Sequence, residues 1–149
     1  MDLKKAIHQN SFESLNQELV VGLLYAAGAL RDKLNAVSSE HGFLVQHYNV
    51  LRILNGAFPE VLYPADIKER MIEKGVDLTR LLYKLERLTL IERNVCPDNR
   101  RRVELKITPK GISLLASMKT EVFAIQQSVF KGFSEDELTL FSTLLNKLE

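Results

Sequence analysis

The stretch that decides the fold is VDLTRLLYKLERLTLIERNVCPDNRRRVELKITPKG, residues 76–111. Its first part predicts a helix with one apolar face, because leucines recur at helical spacing: Leu78, Leu81, Leu82, Leu85 and Leu88. Apolar and polar residues then alternate in the runs 91–95 and 103–107, which predicts two strands. Between them PDNRRR, residues 97–102, has the composition of a turn. The stretch is therefore predicted to form a helix followed by a β-hairpin.

The segment before this helix predicts a second, shorter helix. PADIKERMIEK, residues 64–74, begins with Pro64, which suits the first helical position. Gly75 interrupts the pattern before the next helix starts. Two short helices joined by a tight turn and followed by a hairpin are the elements of a winged helix-turn-helix. The predicted fold class is mainly α with a small β-hairpin wing.

Longer amphipathic helices flank this unit on both sides. Apolar residues at three- and four-residue steps predict helices at 11–36 and 44–56, separated by a loop at 37–43. After the hairpin, TPKG predicts a helix start, with Thr108 as N-cap and Pro109 as first helical residue. That helix is predicted over 110–131. Ser134 and Glu137 form a capping-box pattern ahead of a last helix at 135–148.

Charge is distributed unevenly along the chain of 149 residues, although the formal net charge is only +1. Residues 66–110 contain twelve Lys and Arg against eight Asp and Glu, whereas residues 1–65 have five against six and residues 111–149 have three against five. A basic middle between acidic ends is expected of a protein whose central segment meets a polyanion. The alternative is a chance fluctuation in composition.

The winged helix-turn-helix pattern indicates DNA binding. A major groove admits one α-helix, and the polar side of helix 76–88 offers Asp77, Thr79, Arg80, Tyr83, Lys84 and Arg87. The hairpin tip offers Arg100, Arg101 and Arg102 to the adjacent minor groove, whose negative potential suits arginine. The alternative is that the three arginines only solvate a turn.

The chain resembles the MarR family of bacterial transcription regulators from about residue 12 to 148. The resemblance is carried by YNVLRIL at 48–54, TRLL at 79–82 and the TPKG that ends the wing. It implies a single domain over 1–149, an obligate homodimer with dimerisation helices at about 11–36 and 110–148, and a winged helix-turn-helix at about 44–109. It further implies a cytoplasmic repressor that binds a pseudo-palindromic operator in double-stranded DNA.

Two positions depart from the family pattern. Thr89 follows the recognition helix where the family often has glycine. The family wing usually carries Asp-x-Arg, but here Asn99 stands at the aspartate position if the family arginine is Arg101. Counting from Asp98 instead selects Arg100, so Asp98 and Asn99 are both candidates for wing support.

The resemblance also implies an effector, since many family members release DNA when a small aromatic acid or drug binds between the dimer and winged regions. The candidate lining residues are Tyr25, His47, Tyr48 and Arg52. The alternatives are that Tyr25 and Tyr48 belong to the core, that His47 is a partly exposed helix residue and that Arg52 pairs with an acidic neighbour.

Other chemistry has little support in the sequence. The single cysteine, Cys96, excludes an internal disulfide, and as a neighbour of the wing arginines it is a candidate redox sensor. His8, His41 and His47 do not form a metal-ligand motif, and no catalytic motif is present, so neither metal, cofactor nor enzymatic activity is expected. No membrane span or signal peptide is expected. The competing hypothesis is a winged-helix protein-interaction module without DNA binding.

Overall fold

The computed structural model describes residues 3–95 and 103–148. Within these ranges the chain forms seven helices and a two-stranded sheet. In chain order they are α1 (Leu3–Ala6), α2 (Leu15–Glu40), α3 (Val45–Ala57), α4 (Pro64–Arg70), α5 (Leu78–Arg87), β1 (Ile91–Val95), β2 (Val103–Ile107), α6 (Pro109–Val129) and α7 (Glu135–Leu145). The predicted fold class, mainly α with a hairpin wing, is confirmed.

Local capping interactions set the start of each helix in the winged unit. Pro64 is the first residue of α4, and Asp66 accepts a hydrogen bond from the backbone N–H of Tyr63 at 2.8 Å. Asp77 caps α5 by accepting from the N–H of Arg80 at 3.1 Å. These side chains satisfy donors that a helix start leaves free, so α4 begins at Pro64 as predicted and α5 begins at Leu78, two residues later than predicted.

The hairpin is antiparallel, with Ile91 opposite Ile107 and Val95 opposite Val103. Leu105 in β2 also pairs with Leu62 in the segment between α3 and α4, through two backbone hydrogen bonds of 2.9 Å each. This isolated bridge was not predicted, because no alternating run marks Leu62. It joins the base of the wing to the helical layer.

The core lies between α3, α5, the hairpin and the first half of α6. Its most completely buried side chains are Val50, Leu51, Leu54, Ile67, Leu85, Leu105 and Met118. The leucines at positions 81, 82 and 85 all face this core, so α5 is anchored along its whole inner side. The opposite side of α5 is consequently free to face solvent.

The largest differences from the predicted helix boundaries are at both ends of α2 and at the end of α4. The helix predicted at 11–36 starts after the N-cap Ser14 and extends to Glu40, because Val37 and Ser38 are buried and another turn keeps them packed. The loop prediction over 37–40 is therefore wrong. Helix α4 ends at Arg70 and not at residue 74. There the N–H of Ile72 donates to the side chain of Asn49 at 3.2 Å instead of continuing the helix.

Helices α2, α6 and α7 carry a large exposed apolar surface. On α2 it includes Leu15, Leu19, Val20, Leu23 and Leu24. On α6 and α7 it includes Phe123, Leu140, Leu144 and Leu145, next to a cluster of three aromatic rings formed by Phe130, Phe133 and Phe141. Contiguous exposed apolar surface of this kind marks an interaction face. No helix within residues 3–95 or 103–148 is long and apolar enough to cross a membrane.

Candidate nucleic-acid interface

The outer face of α5 is polar, basic and exposed. All six side chains predicted to contact DNA from this helix are exposed: Asp77, Thr79, Arg80, Tyr83, Lys84 and Arg87. They stand opposite the three buried leucines because the helical period separates the two sets. The helix therefore presents a positively charged surface on a rigid, core-anchored element, although DNA contact by each side chain stays a prediction.

Two of the six side chains have local roles in the helix. The carboxylate of Asp77 is the N-cap of α5. The guanidinium of Arg87 lies 5.9 Å from the ring centre of Tyr83, one turn earlier, in a cation–π arrangement. Asp77 thus fixes the start of the helix. On its second half the side chains of Tyr83 and Arg87 contact each other.

A surface cleft of about 730 Å³ runs between α5 and the N-terminal turn of α3. Its α5 wall includes Arg80, Lys84 and Arg87, and its α3 wall includes Gln46 and His47. Positive charge gathers here, because the start of α3 carries partial positive charge and α5 contributes three cationic side chains. The cleft is suited to an anion such as a backbone phosphate.

His47 closes the floor of this cleft and is only 6% exposed. Its Nδ1 atom accepts a hydrogen bond from the backbone N–H of Leu44 at 3.2 Å. Burial lowers the pKa of His47 below its usual value, and the positive charges of Lys84 and Arg80 lower it further. The expectation of a partly exposed histidine is wrong, because the side chain turns inward to cap α3.

A second cleft, of about 380 Å³, lies between α4, the start of α5 and the base of the wing. Lys68 of α4 and Arg93 of β1 line it together with Thr79. Both cations are exposed and were not among the predicted contacts. The signal for Lys68 was its place near the end of the first helix of the pair, whereas Arg93 has the same strand parity as the buried Ile91, so the alternation did not mark it as exposed.

Thr89 follows α5 with a φ of 58°, in the left-handed region. The backbone conformation that the family often gives to glycine is therefore present here in a threonine. The Oγ1 of Thr108 donates to the carbonyl of Thr89 at 2.9 Å and accepts from the N–H of Gly111 at 3.0 Å, as the N-cap of α6. The predicted helix start at Thr108 and Pro109 is confirmed.

The predicted wing tip lies outside the described residues. This applies to the three arginines, to the two wing-support candidates and to the redox candidate: Arg100, Arg101, Arg102, Asp98, Asn99 and Cys96. Their roles stay predictions.

The predicted effector residues occupy different environments. His47 lines the cleft along α5, whereas Tyr25 is 36% exposed on α2 and Arg52 is exposed on α3. The expectation that Tyr25 belongs to the core is wrong for the single chain, but Tyr48 does pack against the core. In the described part of the chain, no three His, Cys, Asp or Glu side chains are grouped to hold a metal ion.

Comparison with known proteins relates the chain to DNA-binding regulators. No family model matches it. It is 28% identical over 134 residues to the HTH-type transcriptional regulator PecS of Dickeya dadantii (strain 3937), covering 88% of this chain and 80% of PecS. A MarR transcription factor from Planctomyces limnophilus superposes with a TM-score of 0.71 at 28% identity, over 93% of this chain and 100% of the other.

A solved complex gives the same fold. The S. aureus MepR–DNA complex contains a chain that superposes with a TM-score of 0.76 at 22% identity, over 84% of this chain and 91% of MepR. The relatives are transcription regulators and not enzymes, which agrees with the lack of a catalytic motif in the sequence.

Proposed function

We propose that this chain, which is similar to MarR-family winged-helix proteins, is a homodimeric repressor that binds a pseudo-palindromic operator in double-stranded DNA. Helix α5 enters the major groove and the wing reaches the neighbouring minor groove. Bound in this way to a promoter, the dimer blocks transcription in the cytoplasm.

One observation carries the proposal. The exposed face of α5 presents Arg80, Lys84 and Arg87 on a helix whose opposite face is buried. Basic residues are also common on helices that only face water, so the charge of the exposed face would not indicate DNA binding by itself. Here the anchor fixes the cations beside the start of α3, where a phosphate can be held by the same cleft. The related fold of MepR has been solved with DNA.

A dimer is supported by the apolar surface of α2, α6 and α7. Leu15 and Leu24 are each 69% exposed in the single chain, and Leu140 is 58% exposed. Burying this surface against a second copy removes it from water and contributes about 25 cal/mol per Å². A two-fold dimer also presents two copies of α5 to successive turns of DNA.

The proposal is tested by fluorescence anisotropy on DNA flanking the protein's own gene, with a random duplex of equal length as competitor. We expect salt-dependent binding to an inverted repeat, with half-sites about one helical turn apart. Replacing Arg80 and Lys84 by alanine should weaken binding and make the salt dependence less steep by about 0.9 per lost phosphate contact. Arg100→Ala with Arg101→Ala is expected to act in the same direction.

Lys119→Ala is the matched control, because Lys119 is exposed on α6, away from the α5 cleft. Equal affinity of the wild-type protein for the repeat and for random DNA would rule out sequence-specific regulation. A stable dimer that binds neither duplex would favour the protein-interaction module.

We place the proposed effector in a different cavity from the one expected. A cavity of about 230 Å³ lies between α2, α3 and the turn joining α4 to α5, with Leu30, Leu34 and Met71 among its apolar lining. The buried Oε1 of Gln46 has no hydrogen-bond donor among the described residues. A small aromatic compound with an O–H or N–H group would satisfy this acceptor.

This effector proposal is tested by thermal shift with a panel of aromatic acids and phenols, followed by release of labelled operator. Leu34→Phe, which fills the cavity, should remove the shift while DNA binding remains. If a compound shifts the wild-type and Leu34→Phe proteins equally, its site lies elsewhere.

A further inference from the structure

The junction between α5 and α6 contains an exposed cation, Lys110, whose side chain reaches the end of α5. The Nζ atom of Lys110 donates to the carbonyl oxygen of Leu88 at 2.8 Å and to the Oγ1 of Thr89 at 2.9 Å. Leu88 is the C-cap of α5, so its carbonyl is one of those that a helix end leaves without an internal partner. Two of the three donors of the ammonium group are thus used within the chain.

The position of Lys110 in its own helix is electrostatically unfavourable. With Thr108 as N-cap and Pro109 as first residue, Lys110 is the second residue of α6, where the helix dipole repels a cation. At the end of α5 the dipole has the opposite sign and attracts the same cation. The ammonium therefore stabilises the end of the recognition helix at the expense of the helix that carries it.

The backbone beside this contact is closely packed at Gly111. A Cβ atom added to Gly111 would lie 2.4 Å from the carbonyl oxygen of Leu90 and 2.7 Å from Cγ1 of Ile107. The N–H of Thr108 also donates to that carbonyl at 3.1 Å. The end of α5, the base of the wing and the start of α6 consequently form one fixed junction.

We propose that Lys110 is a positioning residue for DNA binding, which sets the orientation of the recognition helix relative to the wing and the dimerisation helix. It acts through the carbonyl of Leu88 and the hydroxyl of Thr89 and makes no phosphate contact of its own. The inference rests on the proposed function, since it concerns how the DNA-binding elements are held.

The salt dependence of operator binding distinguishes positioning from phosphate contact. Lys110→Met keeps most of the apolar stem and removes the three donors. We expect operator affinity to fall at least about tenfold, because both hydrogen bonds of the ammonium group to the end of α5 are lost. The slope of log K against log salt should stay that of the wild type, because no phosphate contact is lost. Lys110→Arg should recover part of the affinity, and Lys119→Met on the same helix should have no effect.

Two results would overturn the inference while leaving the proposed function intact. One is a Lys110→Met protein that binds the operator as tightly as wild type. The other is a loss of affinity accompanied by a slope reduced by about 0.9, which would make Lys110 a phosphate contact. If the wild-type protein does not prefer its operator, the proposed function itself fails.

A second variant keeps the test decisive if Lys110→Met does not fold. Thr89→Gly removes one acceptor of the ammonium while glycine accepts the left-handed backbone at this position. We expect a smaller loss of operator affinity than for Lys110→Met, again with an unchanged salt slope, because the Leu88 carbonyl remains. A wild-type affinity for Thr89→Gly would contradict the positioning role.

Discussion

The imidazole of His47 accepts a hydrogen bond at Nδ1 from the backbone N–H of Leu44, at 3.2 Å. Leu44 is the N-cap of α3 and His47 is three residues further on. This is the contact that glutamate or glutamine makes in a capping box. Because an accepting Nδ1 carries no proton, this contact and the burial of the ring favour the neutral imidazole, so the stability of the fold depends on pH.

Stability should fall in mild acid because of His47. Its folded-state pKa is lowered by burial and by Lys84 and Arg80, so below about pH 6.5 the unfolded chain binds the proton more readily than the folded chain. The contribution of His47 is fully present above that pH and is lost as pH falls through the lower, folded-state pKa. Urea denaturation from about pH 7.5 to about pH 5 measures it.

His47→Gln supplies a neutral acceptor at the same position and should remove this part of the acid loss. His41→Gln, at the other end of the loop between α2 and α3, is the matched control and should leave the loss in place. Identical pH profiles for the wild-type and His47→Gln proteins would contradict the assignment.

Gly111→Ala should destabilise the fold by about 1–3 kcal/mol, because the added methyl overlaps the Leu90 carbonyl and Ile107. Gly56→Ala is the control: its Cβ meets nothing within 4 Å, and helix propensity should stabilise the protein by about 0.5 kcal/mol. Chemical denaturation at one protein concentration compares the two. A Gly111→Ala protein as stable as wild type would show that the junction can relax.

Leu144→Asp should weaken the proposed dimer. Leu144 is 48% exposed on α7, one of the three helices whose exposed apolar residues are proposed to form the dimer interface. Losing one buried leucine costs about 1.5–3 kcal/mol, which is at least a tenfold rise in the dimer dissociation constant. Sedimentation equilibrium measures that constant. Ile72→Asp, at a side chain that is 83% exposed in the turn after α4, is the matched control and should leave the dimer unchanged.

Asp77 serves both as a cap and as a predicted DNA contact, and two substitutions separate these roles. Asp77→Ala removes the acceptor of the Arg80 N–H and should cost about 1 kcal/mol of stability. Asp77→Ser keeps a capping oxygen and removes a negative charge, so stability should be retained and DNA affinity should rise through weaker phosphate repulsion. A Ser variant that is stable but loses sequence preference would instead make Asp77 a base contact.

The winged unit could be predicted from sequence because its determinants are local. The change of period between α5 and β1, the prolines at the starts of α4 and α6, and the caps Asp77 and Thr108 each act within a few residues. The capping box of Ser134 and Glu137 is equally local and was confirmed. The exposed side of α5 followed from the same periodicity, so its polar residues could be named in advance.

Features that depend on distant partners could not be predicted. Helix α2 continues to Glu40 because its last turn packs on the core, and Asn35 from that turn accepts the N–H of Val45 at 2.8 Å. His47 is inward for a similar reason, since its partners come from α3 and α5 together. Arg93 and Lys68 meet in one cleft only after the wing folds back beside α4.

The two hydrogen bonds between Leu62 and Leu105 make the wing base and the helical layer a single rigid body. A hairpin held only by its own two strands could swing about Ile91, and its amide hydrogens would exchange with solvent independently of the helices. With Leu105 pinned, its amide and that of Leu62 should exchange at the rate of the buried core. Motion that reaches the wing must then involve the segment before α4 as well, because the hairpin cannot move without Leu62.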